Sequence, residues 1–322
     1  MDAEDVQKVA VVGAGTVGPG LAQVFAGAGH LVSLYSRTAA TLEKALSVAA
    51  AGLGTFVRHG LLDAVDVPTI LARITPTTSL VDAGAGATLV VEAVAEDLGA
   101  KRAVFAELDA YCPDGAIFTS TTSYLDVYRV VPARRLSTTV IAHWFAPPHI
   151  VPLVEVVKGE RTSDDTVTVV TDLLRRLGKE PVVMERFVPG HCVNRLLRSI
   201  GREVFFLLDN GYMTPEEIDT AVKASIVPRA MVLGFVQRYD FTGLDLSLAN
   251  LRNPDYVEPS QEDTPRSLVE RVDRGDLGVK TGRGFFDYGG RSLEDILSQR
   301  DDALLRAFSA AGALTRESVA RS

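Results

Sequence analysis

The stretch Lys8 to Gly20, KVAVVGAGTVGPG, decides how the rest of this chain folds. Its first five residues, Lys8 to Val12, form a valine-rich apolar run that is typical of a central parallel strand buried on both faces. Gly13, Gly15 and Gly18 then give the pattern G-x-G-x-x-G. In this pattern the first glycine makes a tight turn, the second lets the backbone approach a pyrophosphate, and the third lets a helix pack close to the strand.

The residues after these glycines predict the helix and second strand of a β-α-β unit. Pro19 falls in the first helical turn, where a missing N–H costs little. The apolar run Leu31 to Tyr35 predicts the next strand. A helix N-terminus presents unpaired N–H groups and the positive end of its dipole, and both favour a phosphate. We therefore expect a dinucleotide to bind here, with Thr16 and Val17 in the turn beside the three glycines.

Composition and charge narrow the class of protein. The 322 residues favour two domains, and 47% hydrophobic with 23% charged residues is ordinary for a soluble globular protein. The formal net charge of -8 argues against a nucleic-acid partner. No apolar run is long enough to span a bilayer and the acidic N-terminus lacks a signal sequence, so we expect no membrane association and a cytoplasmic location. With only Cys112 and Cys192, the sequence favours a reduced compartment and no zinc site.

The hydrophobic pattern predicts two domains of different class. Strands are predicted over 74–75, 88–94, 116–119, 139–143, 151–157 and 181–184, and helices over 41–60, 101–111 and 164–177. Such alternation specifies a doubly wound parallel α/β sheet of the Rossmann type. The strand signal then stops, and helical patterns follow over 191–210, from the capping box at Thr214, and from Ser292 to about 310. We predict a Rossmann domain over 1–187 and an all-helical domain over 188–322.

A histidine and a glutamate are the first candidates for chemistry. His143 ends one predicted strand, at the carboxyl edge where open α/β sheets bind ligands, and Glu155 lies twelve residues later in an apolar strand. A buried carboxylate needs a partner, and a His–Glu pair can act as a general acid/base. A purely structural hydrogen bond explains the same spacing equally well. The remaining histidines, which have no such partner in view and favour surface or packing roles, are His30, His59, His149 and His191.

Three further polar residues could face the same edge of the sheet. Ser123 ends the hydroxyl-rich turn that follows the strand over 116–119, and Asn194 lies in the first turns of the helix after the domain boundary. Lys280 sits in a glycine-rich loop, KTGRGFF, from which it could approach a phosphate or a ribose. Each has an ordinary alternative: turn stabilisation for the serine, capping for the asparagine, and a plain turn for the lysine.

The end of the second strand indicates which dinucleotide is used. An NAD site usually has a carboxylate there, about 20 residues past the glycines, to accept hydrogen bonds from the ribose 2′-OH. This chain has Ser36 followed by Arg37, and no acidic residue between Gly18 and Thr41. A neutral serine does not repel a 2′-phosphate, and an arginine can bind one, although it can also stack on adenine in an NAD enzyme. We predict NADP(H) as the preferred cofactor, with NAD(H) as the alternative.

Taken together, these residues resemble the 3-hydroxyacyl-CoA dehydrogenase family over nearly the whole chain. The motifs that carry the resemblance are the glycine turn, VEA with Glu96 and Lys101, Ser123, His143 with Pro147, PLVEVV around Glu155, VNRLL around Asn194, the triplet at 243–245, and KTGRGFF. The chain length is similar to that of the branch containing L-gulonate 3-dehydrogenase (lambda-crystallin) and L-carnitine dehydrogenase.

The resemblance implies a role for each of these residues. It implies a nicotinamide-dependent oxidation of an L-3-hydroxy group, or the reverse reduction, on an acid or its thioester. His143 would exchange the hydroxyl proton, Glu155 would orient it, and Ser123 and Asn194 would hydrogen-bond the reacting oxygen. The residues implied to contact the cofactor are Glu96, Lys101 and Lys280. The helical domain would carry a homodimer interface.

Departures from the family pattern bear on the substrate. Relatives commonly have asparagine where this chain has Ala146 and Thr121, and a glycine-rich segment where it has Val-Pro-Arg at 227–229. The acyl-CoA branch carries CoA-contacting lysines in the segment 57–71, which here offers only Arg58 and His59. We therefore expect a small-molecule substrate, and we favour a free or otherwise tethered 3-hydroxy or 3-keto acid over the alternative, a CoA ester. A non-catalytic, crystallin-like dinucleotide-binding protein is the alternative function.

Overall fold

The computed structural model describes residues 2–259, 261 and 263–312. They form two compact units. The first comprises the described residues up to Asn194 together with those from Ser298 onward, and the second is Arg195–Leu297. The domain limits predicted from the sequence, 1–187 and 188–322, stay a prediction.

The first unit is built on one eight-stranded sheet. Its strands are β1 (Lys8–Val12), β2 (Leu31–Tyr35), β3 (Ile74–Thr77), β4 (Leu89–Glu92), β5 (Ile117–Ser120), β6 (Thr139–Trp144), β7 (Leu153–Val157) and β8 (Glu180–Met184). Their order is β3-β2-β1-β4-β5-β6-β7-β8. The predicted Rossmann-type fold is confirmed, with one difference at its edge: β8 lies parallel to β7, and β7 runs antiparallel to β6. Only residues 145–152 join these two strands, too few for the helical crossover that a parallel pair requires.

Helices cover both faces of this sheet. They are α1 (Gly18–Gly27), α2 (Ala39–Arg58), α3 (Val67–Ala72), α4 (Leu80–Gly84), α5 (Leu98–Tyr111) and α6 (Asp164–Arg176). The longer ones begin where a side-chain oxygen accepts a hydrogen bond from a first-turn N–H, as Thr38 does for α2, Asp97 for α5 and Ser163 for α6. Such caps satisfy donors that have no partner within the helix.

The core lies on both sides of β1, as its valine-rich sequence predicts. Val9 and Val11 pack into one hydrophobic cluster, and Ala10 and Val12 into the cluster on the opposite face. All four are fully buried, and each buried valine contributes about 1.5 to 3 kcal/mol relative to an exposed one. The carboxyl end of β1, where the glycines follow, is therefore held rigidly.

The second unit is helical, as predicted. It contains most of α7 (Val193–Asp209), then α8 (Pro215–Ala221), a π-helical turn (Val222–Ile226), α9 (Val227–Thr242), α10 (Leu244–Leu251), α11 (Arg266–Asp273) and the start of α12 (Leu293–Ala310). The capping box predicted at Thr214 is present, since its hydroxyl accepts from the Glu217 N–H and the Glu217 carboxylate accepts in return. None of the helices among the described residues is long and apolar enough to cross a membrane.

Candidate active site

The glycine turn has the geometry that its three glycines require. Gly13 has φ +122°, and a Cβ there would lie 2.3 Å from the Ala93 carbonyl oxygen. A Cβ on Gly18 would lie 2.0 Å from the Gly13 carbonyl oxygen, whereas one on Gly15 would meet nothing within 4 Å. Gly15 and Thr16 are exposed, and α1 begins at Gly18. The turn is therefore closed toward the protein and open toward a ligand, which fits a pyrophosphate on the N-terminus of α1.

The end of β2 lies beside this turn. The Gly13 N–H donates to the Tyr35 carbonyl oxygen at 3.0 Å, and the Ser36 N–H donates to the Thr77 carbonyl oxygen at 3.2 Å. Ser36 is half-buried and Arg37 is exposed. Within the described part of the chain, no carboxylate pairs with Arg37. Its guanidinium is free to meet an anionic group of a ligand.

Lys101 is held in a buried ion pair. Its side chain is 1% exposed, and its ammonium donates to the two carboxylate oxygens of Glu92 at 2.8 and 3.0 Å. Glu92 is fully buried and also accepts from the Ser120 hydroxyl and the Val94 N–H. The same ammonium lies 3.4 Å from Glu96 Oε2. Lys101 therefore meets the site through Glu96, the more exposed of the two carboxylates.

Glu96 holds the turn that carries Ser123. Its Oε1 accepts from the Thr122 hydroxyl at 2.7 Å and from the N–H groups of Ser123 and Tyr124, each at 3.0 Å. Burial by itself raises the pKa of Glu96, but these hydrogen bonds and the charge of Lys101 outweigh it, so the pKa is lowered. An ionised Glu96 thus fixes the backbone from which the Ser123 hydroxyl projects.

Ser123, His143 and Glu155 form a continuous line of hydrogen bonds. His143 on β6 faces Glu155 on β7 in the antiparallel register, which places both side chains on one face of the sheet. His143 Nδ1 lies 2.7 Å from Glu155 Oε2, and His143 Nε2 lies 3.1 Å from the Ser123 hydroxyl oxygen. The predicted contact between histidine and glutamate is therefore present, with both side chains buried. Its catalytic role remains a prediction.

The second oxygen of Glu155 is bound by the chain just before α7 and at its first residue. Glu155 Oε1 accepts from the N–H groups of Cys192 at 2.9 Å and Val193 at 2.8 Å. Burial raises the pKa of Glu155, yet the hydrogen bonds from His143 and from these two N–H groups lower it by more. A carboxylate can only accept, so Nδ1 of His143 carries the proton and Nε2 is left as the acceptor.

For the other two predicted polar residues, Asn194 and Lys280, the structure gives the element and the exposure of each. Asn194 follows Val193 in the first turn of α7 and is half-buried. Lys280 is exposed in a 3-10 turn (Val279–Thr281) of the second unit. Both assignments stay predictions.

His191 lies beside His143 in the candidate site, although the sequence does not single it out. It is fully buried, has φ +49°, and its Nε2 donates to the Thr122 carbonyl oxygen at 3.0 Å. Its ring centroid lies 5.1 Å from that of His143. Burial lowers the pKa of His191, which favours the neutral ring. The packing role expected for His191 agrees with its burial, and the structure adds a polar partner, a backbone carbonyl 69 residues away that no spacing reveals.

The expectation that His59 lacks a carboxylate partner was wrong. His59 Nε2 lies 2.8 Å from Asp302 Oδ1, and the Arg58 guanidinium lies 3.7 Å from the same oxygen. Asp302 belongs to α12, more than 240 residues along the chain. His149 does pack as expected, with its ring against Phe56 and burial lowering its pKa to about 3.

The fold and this site are typical of a dehydrogenase of the doubly wound α/β class, with the glycine turn and the His–Glu pair at one edge of the sheet. The chain belongs to the 3-hydroxyacyl-CoA dehydrogenase family. The model of that family's NAD binding domain matches residues 8–187, and that of its C-terminal domain matches residues 190–288. The resemblance drawn from the sequence is confirmed, and the protein is an oxidoreductase of this family with an NAD-binding domain.

Three relatives are informative about its branch. The chain is 31% identical to 5-formyl-3-hydroxy-2-methylpyridine 4-carboxylate 5-dehydrogenase of Mesorhizobium japonicum, over 92% of this chain and 95% of that protein. It is 30% identical to L-carnitine dehydrogenase of Streptomyces coelicolor, over 99% of each. It is 34% identical to 3-hydroxybutyryl-CoA dehydrogenase of Clostridioides difficile, over 87% of this chain and 99% of that protein.

A solved structure agrees with the first of these. The crystal structure of a 5-formyl-3-hydroxy-2-methylpyridine 4-carboxylic acid 5-dehydrogenase, described as an NAD+ dependent dismutase, superposes with a TM-score of 0.85. The match has 29% identity and covers 95% of this chain and 99% of that one.

Proposed function

We propose that this protein is a nicotinamide-dependent dehydrogenase that interconverts a 3-hydroxy acid and the corresponding 3-keto acid, without a CoA group. The observation that carries the proposal is the line of hydrogen bonds from Ser123 through His143 to Glu155, closed by two N–H groups at the start of α7. The presence of His143, Glu155, Ser123 and Asn194 together favours an enzyme, because a non-catalytic protein has no need of all four.

In this proposal His143 is the general base for oxidation and the general acid for reduction. Its Nε2 takes the proton of the substrate hydroxyl, and Glu155 stabilises the imidazolium that forms. The nicotinamide, when bound, accepts or supplies the hydride. Ser123, and Asn194 from the first turn of α7, hydrogen-bond the reacting oxygen.

The test is His143→Gln, assayed with the substrate that a panel of 3-hydroxy acids identifies. We expect this variant to fold and to bind cofactor, but to lose about 100-fold to 10,000-fold in turnover, the usual worth of a general acid/base. Circular dichroism and cofactor fluorescence check folding and binding. Turnover that stays within a factor of three of wild type would rule out His143 as the proton carrier.

The residues proposed to bind the pyrophosphate of the cofactor form the glycine turn. Gly13, Gly15, Thr16, Val17 and Gly18 would bind the pyrophosphate, since the turn is open at Gly15 and leads into α1. Glu96 would meet the nicotinamide side, with Lys101 acting through it. Lys280 is also proposed to contact the cofactor.

We propose NADP(H) as the preferred cofactor. A superposed relative is described as NAD+ dependent, so this preference rests on the chain's own Ser36 and the unpaired, exposed Arg37. One charge-assisted contact is worth about 1.5 to 3 kcal/mol, enough for more than a tenfold preference. We expect Ser36→Asp to shift the ratio of kcat/KM values toward NADH by at least tenfold. Ser47→Asp, the same change on an exposed part of α2, serves as the control, and a wild type that prefers NADH would contradict the proposal.

The substrate is proposed to lack CoA because the segment 57–71 has no free cation to offer. Its only two basic side chains, Arg58 and His59, both face Asp302. Two of the relatives named above are named for substrates without CoA. The test compares turnover of acetoacetyl-CoA with that of free 3-hydroxy and 3-keto acids. Much faster CoA turnover would contradict this choice.

We propose a homodimer formed through the helical unit. Large apolar side chains on its helices are strongly exposed, with Val236 at 83% and Leu251 at 81%. Such a surface is typical of a protein interface. Light scattering should give twice the 34.5 kDa chain mass, and Val236→Asp should lower it. A cytoplasmic location stays a prediction.

A further inference from the structure

The C-terminal helix α12 returns to the first unit and packs on the end of α2. Leu305 is fully buried in a small cluster with Phe56, Leu61 and Ile150. Leu304 and Phe308 flank this cluster. Burying a leucine in this way is worth about 1.5 to 3 kcal/mol, so α12 is a fixed part of this surface.

The same helix places a carboxylate against the two basic side chains at the end of α2. Asp302 Oδ1 lies 2.8 Å from His59 Nε2 and 3.7 Å from the Arg58 guanidinium. The His59 hydrogen bond is the main reason that the pKa of Asp302 is lowered, so Asp302 stays ionised at neutral pH. The phosphates of a CoA substrate that reached the end of α2 would meet the carboxylate of Asp302 there.

This surface adjoins the edge of the sheet that carries His143. Ile150 follows β6 by six residues, and Pro148 lies so close to α1 that a Cβ on Gly20 would be 2.7 Å from its Cγ. Gly20 is in the first turn of α1, beside the glycine turn. A long substrate tail that leaves the site along the segment 147–150 and the end of α2 would therefore run into α12.

The match to one relative that is named for a substrate without CoA extends over α12. The match to L-carnitine dehydrogenase covers 99% of this chain, which leaves too few residues unmatched to exclude the 18 residues of α12. The match to 3-hydroxybutyryl-CoA dehydrogenase covers 87%.

We propose that α12 is the element that excludes CoA thioesters from this enzyme, by covering the end of α2 and by placing Asp302 on Arg58 and His59. This inference rests on the proposed function, a dehydrogenase of acids without CoA. It assigns the choice of substrate class to a segment outside the two matched domains, and it makes Leu305 and Asp302 specificity-determining residues.

The test measures binding of coenzyme A itself to the full-length protein, by calorimetry, in wild type and variants. Leu305→Asp places a charge in the buried cluster and should release α12. Ala307→Asp adds the same charge at an exposed position of the same helix and is the matched control. Asp302→Asn leaves the helix docked and removes the negative charge beside Arg58 and His59. Cofactor binding and circular dichroism verify that each variant is folded.

We expect wild type and Ala307→Asp to bind coenzyme A weakly, and Leu305→Asp to bind it at least tenfold more tightly, a change of about 1.4 kcal/mol. Asp302→Asn should gain about threefold. The proposal is overturned if wild type binds as tightly as the released variant, or if a folded Leu305→Asp gains nothing. If Leu305→Asp does not fold, Asp302→Asn decides, and no gain there also overturns the proposal. Because this readout needs no turnover, a failure of the proposed function would show separately, as a wild type inactive on every hydroxy acid.

Discussion

Replacing Glu155 by glutamine should reverse the proton arrangement of His143. Two backbone N–H groups hold Oε1 of Glu155, and Oε2 accepts from His143 Nδ1. In Glu155→Gln the single amide oxygen must stay on the two N–H donors, because turning it away would leave both buried donors unpaired. The amide NH2 then faces His143 and donates to Nδ1. Nε2 becomes the protonated nitrogen, and it can no longer accept a proton from a substrate hydroxyl.

The size of this effect follows from the loss of the reactive tautomer. A wrong tautomer in the comparable serine-protease triad costs about 10,000-fold, so we expect a fall in kcat on the order of 1,000-fold to 10,000-fold, or about 4 to 5.5 kcal/mol. Initial rates of hydroxy-acid oxidation over pH 6 to 9 measure it, with cofactor dissociation constants as a check on folding. Glu160→Gln is the matched control, since Glu160 is exposed and outside the site. A Glu155→Gln enzyme that keeps more than a tenth of wild-type kcat would refute the assigned tautomer.

Three further predictions concern the glycine turn, the imidazole of His191 and Asp302 of helix α12. Gly18→Ala should lower both stability and cofactor affinity, because its Cβ would meet a backbone oxygen. Gly15→Ala should fold normally and weaken only cofactor binding. Thermal unfolding measures the effect on stability, and fluorescence titration measures the effect on cofactor affinity. His191→Phe should lower kcat about tenfold through loss of the hydrogen bond to the Thr122 carbonyl, and His191→Asn, which can donate and tolerates positive φ, should recover part of it. The pKa of Asp302 is lowered, so its contribution to stability should be present above about pH 4 and lost as the pH falls through the lowered pKa of the folded state. The melting temperatures of wild type and Asp302→Asn should therefore differ at pH 7 and converge at about pH 2.

Much of the fold could be predicted because its signals are local. The run Lys8 to Val12 and the glycines after it mark a buried strand and a turn, and the capping box at Thr214 marks a helix start. The antiparallel turn between β6 and β7 could not be found by counting apolar runs, because parallel and antiparallel strands carry the same pattern when both faces are buried. The short connection over 145–152 is the signal that was available.

The candidate site was predictable only in part, for a physical reason. His143 and Glu155 lie twelve residues apart on adjacent strands, so their pairing could be read from the chain. The partners of His191 and His59 are a carbonyl and a carboxylate brought near only by tertiary folding. A backbone carbonyl has no residue type, and no sequence pattern can point to it.

The start of α7 acts on His143 without touching it. A buried Glu155 needs hydrogen-bond donors, and the first N–H groups of a helix have no acceptor within the helix. Placing Cys192 and Val193 against Oε1 satisfies both requirements, and the positive φ of His191 turns the backbone so that these N–H groups point at the carboxylate. The orientation of His143 therefore depends on the backbone where the chain enters α7. A substitution that moves the first turn of α7 is expected to lower turnover even when Ser123, His143 and Glu155 are unchanged.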